Sequence, residues 1–158
     1  MVLNNKELPT KNPIYIMATC FGIGLIPLAP GTLGSLFGVL VFWLTVNLGQ
    51  ETQTIIAGLL LVNGIWICGV CSKRLNIHDH SSIVWDEMSV MYSLLLFVPF
   101  TGVSLVVVFL LFRLFDIWKP WPINIVDSKV GGGVGVMLDD IMAGIATIFF
   151  YNIISGLI

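Results

Sequence analysis

The chain has 158 residues, of which 57% are hydrophobic and only 10% are charged, and its formal net charge is −2. About a quarter of the residues of a soluble domain are charged, so this composition excludes an ordinary soluble protein and predicts a single membrane-embedded domain over residues 1–158. A net charge this small indicates no particular partner, and we predict a membrane partner and no nucleic-acid binding.

The amino-terminal part of the chain divides into a polar and an apolar segment. Residues 1–12 are polar and are predicted to lie in the cytoplasm. Residues 14–26 are apolar but too short to cross a bilayer, which takes about 20 residues, and Pro27 and Pro30 prevent a continuous helix. We predict a re-entrant or broken helix here, although a crossing segment stays open as the alternative.

Five further apolar stretches follow, and the predicted fold class is an all-α, polytopic membrane helical bundle. Some stretches are shorter than a bilayer requires, but each borders an amphipathic flank that can extend it. Three of them are expected to begin at one pole, near residues 33, 85 and 139. The predicted spans are residues 33–48, 54–71, 85–98, 103–118 and 139–157.

The charged residues are expected to gather on one side of the membrane. If the amino terminus is cytoplasmic, all seven Lys and Arg residues fall on the cytoplasmic side, as the positive-inside rule requires. Eight of the nine acids fall there too, which leaves only Glu51 outside. That rule does not require acidic residues to lie on the same side of the membrane as basic residues. A water-facing active site at the cytoplasmic side would explain why both gather there.

The acids occur in groups, as the pairs Asp86–Glu87 and Asp139–Asp140 and as Asp116 near the end of the fourth stretch. Acids in the first turn of a helix can simply interact favourably with the helix dipole, but this alternative hardly accounts for two adjacent acids. Carboxylates that converge repel one another unless a cation separates them, and oxygen ligands select Mg²⁺ over zinc. We predict Mg²⁺ as cofactor, with these five acids as ligands.

Helical geometry narrows this choice within each acidic pair. Neighbouring helical residues are about 100° apart, so one acid of each pair should face the site while the other orients or caps. Asp86 shares its face with Ser89 and Ser93, and Asp140 shares its face with small residues. Asp86 and Asp140 are therefore the preferred ligands.

Two motifs have the composition of an anion site. In "RLFDIWKPWPI", Arg113, Asp116 and Lys119 are three residues apart and share one broad helical face. Arg113 and Lys119 would hold a phosphate, while Asp116 would bind metal or orient Arg113; the alternative is a salt-bridge ladder at the membrane surface. In "GLIPLAPGTLGS", Thr32 is the predicted N-cap of the helix. The hydroxyls of Thr32 and Ser35, together with free N–H groups at the helix start, would form an anion-binding site. A re-entrant break without a ligand is equally compatible with this second motif.

The run "GGGVG", residues 131–135, is a poor match to a nucleotide-binding loop, because no strand precedes it and no GK[ST] follows. We predict a flexible turn before Asp139.

Together, "GLIPLAPGTLGS", "HDHSSIVWDE", "RLFDIWKPWPI" and "GGGVGVMLDDIMAG" resemble the motifs of bacterial phosphatidylglycerophosphatase A, over about residues 20–144. The resemblance implies a Mg²⁺-dependent enzyme of the bacterial inner membrane that acts in phospholipid biosynthesis. It would hydrolyse phosphatidylglycerophosphate to phosphatidylglycerol and phosphate. Some members have His where this chain has Gly131, so that position receives no role. The positions that match polar motif residues are Thr32, Ser35, Asp79, His80, Asp86, Glu87, Arg113, Asp116, Lys119, Asp139 and Asp140.

Roles follow from phosphate-ester chemistry. The nucleophile is either a water activated by metal or an aspartate that becomes phosphorylated, and His80 or a carboxylate would protonate the leaving oxygen. A phosphatase of another lipid phosphate and a non-enzymatic cation transporter are the alternative functions. No oligomeric state is predicted. The predicted catalytic residues are Asp79, His80, Asp86, Asp116 and Asp140.

Overall fold

The computed structural model describes residues 12–76 and 80–156. Within these ranges the chain forms seven α-helices and two 3₁₀ turns and contains no β-strand, which confirms the all-α prediction. Almost all of the predicted cytoplasmic segment 1–12 lies outside the described residues. The elements are α1 Pro13–Ala18, a 3₁₀ turn Ile23–Leu25, α2 Pro30–Thr45, a 3₁₀ turn Val46–Leu48, α3 Gln50–Leu75, α4 Trp85–Leu94, α5 Gly102–Trp118, α6 Ile123–Lys129 and α7 Gly132–Ser155.

The amino-terminal apolar segment is broken, as predicted. Helix α1 ends at Ala18, and the chain then passes through left-handed backbone at Cys20 and Phe21, with φ of +47° and +59°. A helix end in an apolar environment leaves carbonyl groups that need partners. The N–H of Val84 donates to the carbonyl of Ala18 at 2.9 Å. The broken segment is thereby fastened to the residues that lead into α4.

Three helical segments among the described residues are long and apolar enough to cross a membrane. They are Pro30–Leu48, Gln50–Leu75 and Gly132–Ser155. Helix α5 has 17 residues and is about 25 Å long, slightly shorter than a bilayer core of about 30 Å. Large apolar side chains are exposed along these helices, as a lipid-facing surface requires. The prediction of a membrane helical bundle is therefore confirmed.

The third predicted span, residues 85–98, is wrong. Helix α4 has only ten residues and is about 15 Å long, half the thickness of a bilayer core. Eight of its ten side chains are buried, and α2, α3 and α7 pack around it. The sequence does not reveal this arrangement, because a helix buried in protein is as apolar as one that faces lipid. Helix α4 is the centre of the bundle.

Hydroxyl pairs join the helices at the ends remote from the acidic residues. The hydroxyls of Thr45 in α2 and Tyr92 in α4 share a hydrogen bond of 3.0 Å. Those of Ser104, at the start of α5, and Tyr151, near the end of α7, share one of 2.8 Å. Hydrogen bonds between helices add to packing where the surroundings are apolar. They fix α2 parallel to α4 and α5 antiparallel to α7.

Helix α7 begins earlier than predicted, and the run 131–135 is not a flexible turn. All but the first of these residues belong to the helix, which starts at Gly132. Gly133 packs directly on the backbone of α3. A Cβ atom at Gly133 would collide with the carbonyl oxygen of Ile65 and would lie 2.7 Å from Cα of Gly69. Glycine is needed here for close helix packing rather than for flexibility.

Replacing Gly133 with alanine should therefore destabilise the protein. Because the new methyl group meets rigid backbone, we expect a loss of about 1–3 kcal/mol, measured as a lower melting temperature in detergent. Gly58→Ala in α3 is the matched control, since nothing lies within 4 Å of a Cβ atom there. The control should leave stability unchanged or slightly raise it. Equal melting temperatures for the two variants would contradict the proposed packing.

Candidate functional site

A polar cleft of about 350 Å³ lies where α2 and α4 begin and α5 ends. It draws residues from four helices and from the segment that precedes α4. Eight of the nine polar or charged residues in its lining are among those predicted from the sequence, and Ser81 is the exception. The nine are Thr32, Ser81, Asp86, Glu87, Arg113, Asp116, Lys119, Asp139 and Asp140.

The first turn of α2 forms one wall of the cleft. Pro30 occupies the first helical position, where its fixed φ suits a helix and its missing N–H costs nothing. A Cβ atom at the next residue, Gly31, would collide with Oε1 of Glu87 and would lie 3.0 Å from Nη2 of Arg113. The glycine therefore lets an acid and a base approach the helix backbone. The N–H groups at the start of a helix carry partial positive charge, which adds to the polarity of the cleft.

The two hydroxyl residues predicted in this segment have different environments. Thr32 lines the cleft but is not the N-cap, because α2 begins earlier and Ala29 takes that position, with φ of +49°. Ser35 is fully buried, and its hydroxyl donates to the carbonyl of Gly31 at 2.9 Å. Ser35 is absent from the cleft lining. Its hydroxyl contributes to the helix rather than to an anion-binding site.

The segment that precedes α4 reaches the cleft through a residue that is not among the predicted site residues. Ser81 lines the cleft, whereas its neighbour His80 does not. Nδ1 of His80 accepts a hydrogen bond from the N–H of Ser82 at 3.2 Å, which holds the imidazole in the local turn. The predicted catalytic residue Asp79 lies outside the described residues. The serine lies inside the motif "HDHSSIVWDE", but a lone hydroxyl beside stronger ionisable groups gives little signal.

Three carboxylates meet in the cleft. Asp86, Glu87 and Asp140 each offer an oxygen that lies within 4.8 Å of the others. Both aspartates are only 4% exposed, so water screens their repulsion poorly. Oδ2 of Asp140 is buried and has no hydrogen-bond partner among the described residues. A cation would offset this repulsion and bind that oxygen, and an all-oxygen ligand set suits Mg²⁺. These residues therefore fit a divalent metal.

Both members of the pair on α4 join this group, although only one was expected to face the site. The reason is their position in the first turn of the helix. Oδ1 of Asp86 accepts a hydrogen bond from the N–H of Glu87 at 3.1 Å, so the aspartate folds back over the helix start. The glutamate extends toward Gly31. First-turn geometry therefore overrides the separation of about 100° between neighbours.

The two acids of the pair on α7 have different contacts. Asp140 joins the three-carboxylate group, whereas Oδ2 of Asp139 accepts a hydrogen bond from Nζ of Lys119 at 2.5 Å. Asp139 lies outside the three-carboxylate group, and its described contact is that of an ion-pair partner. The predicted helix start near residue 139 is wrong, because both acids lie about two turns inside α7. The dipole of α7 therefore cannot account for them, since its effect fades within the first turn.

Arg113 and Asp116 form a shielded ion pair on α5. Nη1 of Arg113 donates to Oδ2 of Asp116 at 2.5 Å, and the side chains are 14% and 11% exposed. The guanidinium also lies against Gly31, so it connects the end of α5 with the start of α2. Asp116 is not part of the three-carboxylate group. Of the two roles predicted for Asp116, the contacts favour the orientation of Arg113.

Lys119 is held by two carboxylates. Its Nζ donates to Oδ2 of Asp139 and, at 2.7 Å, to Oδ1 of Asp127 in α6. Burial by itself would lower the pKa of Lys119, but the hydrogen bonds and charges of the two aspartates raise it above its usual value. Lys119 therefore stays protonated at neutral pH. Asp127 is not among the predicted site residues, because the segment between α5 and α7 is predicted to be a connection.

An apolar helical bundle with a cleft of acids, an arginine and a lysine can stabilise a phosphoryl group. This fold and this site are those that a membrane-embedded phosphatase requires. The family model described as Phosphatidylglycerophosphatase A matches residues 16–155. The chain therefore belongs to the phosphatidylglycerophosphatase A family, as the motifs suggest.

Similar curated proteins support this assignment. The chain is 40% identical over 141 residues to phosphatidylglycerophosphatase A of Escherichia coli K12, which covers 89% of this chain and 82% of that protein. It is 39% identical over 149 residues to phosphatidylglycerophosphatase A of Haemophilus influenzae, with 92% and 91% covered. A Bacteroides thetaiotaomicron protein, provisionally named a phosphatidylinositol-3-phosphatase, is 34% identical over 145 residues, with 87% and 89% covered. No solved structure matches the chain.

The crowded carboxylates lead to a prediction about stability. Asp140→Asn removes one of the mutually repelling charges, so the melting temperature in EDTA should rise by about 2–4 °C, the shift that roughly 1 kcal/mol gives at this size. Glu51→Gln is the control, because it removes an exposed carboxylate at the other end of α3 and should not raise the melting temperature. A destabilised Asp140→Asn variant would mean that repulsion does not dominate here.

Proposed function

We propose that this protein hydrolyses phosphatidylglycerophosphate to phosphatidylglycerol and inorganic phosphate, with Mg²⁺ as its cofactor, in phospholipid biosynthesis. The observation that carries the proposal is the convergence of a three-carboxylate group, Arg113, Lys119 and the first turn of α2 in one cleft. The names of the E. coli and H. influenzae relatives support this choice of substrate.

The basic side of the cleft would bind the terminal phosphoryl group. In phosphoryl transfer, negative charge spreads over the equatorial oxygens, and positioned cations and N–H groups stabilise it. Arg113 would donate from a guanidinium that Asp116 holds in place, and Lys119 would add a second charge. The N–H groups in the first turn of α2 would complete the binding of these oxygens.

The acidic side of the cleft would hold the metal. Asp86, Glu87 and Asp140 are its proposed ligands, because their oxygens converge and one of them is a buried oxygen without a described partner. When bound, Mg²⁺ would supply Lewis acidity and draw charge from the phosphoryl oxygens. Asp116 and Asp139 have a different task in this proposal, which is to orient Arg113 and Lys119.

We further propose that the cleft faces the cytoplasm across the bacterial inner membrane. The described Lys and Arg residues support this orientation, since each lies near the carboxyl end of α3, α5 or α6, on the side of the cleft. Glu51 lies in the first turn of α3, at the opposite end. Cytoplasmic loops of membrane proteins are enriched in Lys and Arg. The phosphorylated head group would reach the cleft while the acyl chains remained in the bilayer. The residues concerned are Lys73, Arg74, Arg113, Lys119 and Lys129.

Activity should depend on both the metal and the carboxylates. Purified protein in detergent should release phosphate from phosphatidylglycerophosphate, lose that activity in EDTA, and regain it when Mg²⁺ is restored. Asp86→Asn, Asp116→Asn and Asp140→Asn should each reduce kcat by roughly 100-fold or more without loss of membrane insertion. Glu51→Gln is the control and should behave as wild type. Near-normal turnover in all three variants, or full activity without metal, would contradict the proposed site.

A second candidate substrate class is another lipid phosphate, and the name of the Bacteroides relative favours it. A panel of lipids separates the two possibilities. Because the recognised glycerol-phosphate head should contribute to transition-state binding, phosphatidylglycerophosphate should give a kcat/KM at least about tenfold above that of phosphatidic acid, lysophosphatidic acid or phosphatidylinositol 3-phosphate. A higher kcat/KM for any of these three would replace the proposed substrate.

A further inference from the structure

Lys119 extends into the cleft from a position with little local support. Helix α5 ends at Trp118, and Lys119 adopts a left-handed conformation with φ of +43°. Pro120 follows, so the helix cannot continue and brace the side chain. A lysine side chain has a flexible four-carbon stem and loses considerable rotamer entropy when it is fixed. Other groups must therefore keep its ammonium at the cleft.

Two carboxylates from different helices perform this task. Asp139 in α7 is 6% exposed and contacts the ammonium from within the cleft, whereas Asp127 in α6 is 37% exposed and contacts it from the outer side. An ammonium has three N–H donors, and these contacts use two of them. Because Lys119 lines the cleft, its third donor is available to a phosphoryl oxygen there.

Helix α6 gives Asp127 a defined position. The side chain of Ile123, in the first turn, is 3% exposed, and α6 packs against α7. Asp127 itself is absent from the lining of the cleft. Its hydrogen bond to Nζ of Lys119 connects it to the cleft, so an influence on the reaction would pass through Lys119.

We propose that Asp127 is a positioning residue that holds the ammonium of Lys119 in the cleft, where it binds the phosphoryl group of the substrate. This inference rests on the proposed function and extends it to α6. Lys119 would contact the phosphoryl oxygens in both the bound substrate and the transition state. Loss of the support that Asp127 gives to Lys119 should therefore raise KM more than it lowers kcat.

The test combines single and double variants assayed with phosphatidylglycerophosphate. Asp127→Ala should raise KM about tenfold, the effect expected when one hydrogen bond to a charged group is lost, with kcat within about twofold of wild type. Asp127→Asn keeps an acceptor oxygen and should recover most of the lost affinity. In a Lys119→Ala background, Asp127→Ala should change KM no further. Asn124→Ala, an exposed change on the same helix, is the control.

Binding of inorganic phosphate, measured by titration calorimetry in detergent with Mg²⁺, gives the same comparison without turnover. Asp127→Ala should weaken phosphate binding about tenfold in the wild-type background and leave it unchanged in the Lys119→Ala background. An unchanged affinity in the single variant, or equal losses in both backgrounds, would overturn the inference. Phosphate binding that follows this pattern, without hydrolysis of phosphatidylglycerophosphate, would support Asp127 and reject the proposed function.

Discussion

The repulsion among three carboxylates, two of them buried and one partly buried, is the constraint around which this protein is organised. Asp86, Glu87 and Asp140 have oxygens within 4.8 Å of one another at one end of an apolar bundle. Like charges that water screens poorly cost free energy, which a fold retains only where other groups compensate. Natural proteins accept such local destabilisation mainly at functional sites. The surrounding helices supply both the rigid positions and the counter-charges that make the arrangement possible.

The central helix and its glycine neighbours provide that rigidity. Helix α4 is enclosed by other helices, and it presents its first turn, with two of the acids, to the cleft. Gly38 of α2 packs on it so closely that a Cβ atom there would lie 2.5 Å from the carbonyl oxygen of Met88. Gly31 brings the first turn of the same helix against Glu87 and Arg113. Close contact between helix backbones restricts the positions that the charged groups can take, as electrostatic preorganisation requires.

The sequence predicts the site more accurately than it predicts the fold, for a physical reason. A charge in a strongly apolar chain is costly, so each one is conspicuous, and seven of the nine polar or charged residues in the cleft lining stand out in this way. An apolar residue carries no such information. The stretch 85–98 has the composition of a lipid-facing span, although α4 is enclosed by protein. The run 131–135 resembles a loop, although Gly133 packs on the backbone of α3. The role of Asp127 depends on the partner that α6 brings near, which no local pattern reveals.

The charges of the cleft also explain why acids and bases must occur together there. Its lining contains five carboxylates and two cations, which leaves a formal charge of −3 when all are ionised. A doubly charged phosphoryl group would be repelled from such a cleft as a whole. Ion pairing by Asp116 and Asp139 fixes Arg113 and Lys119 without removing them from the lining, so the remaining three carboxylates can be reserved for a metal. Without the cation, the acids would repel the phosphorylated substrate; with it bound, Arg113 and Lys119 could contact the phosphoryl group. In the mechanism that we propose, metal binding is therefore a precondition for phosphate binding.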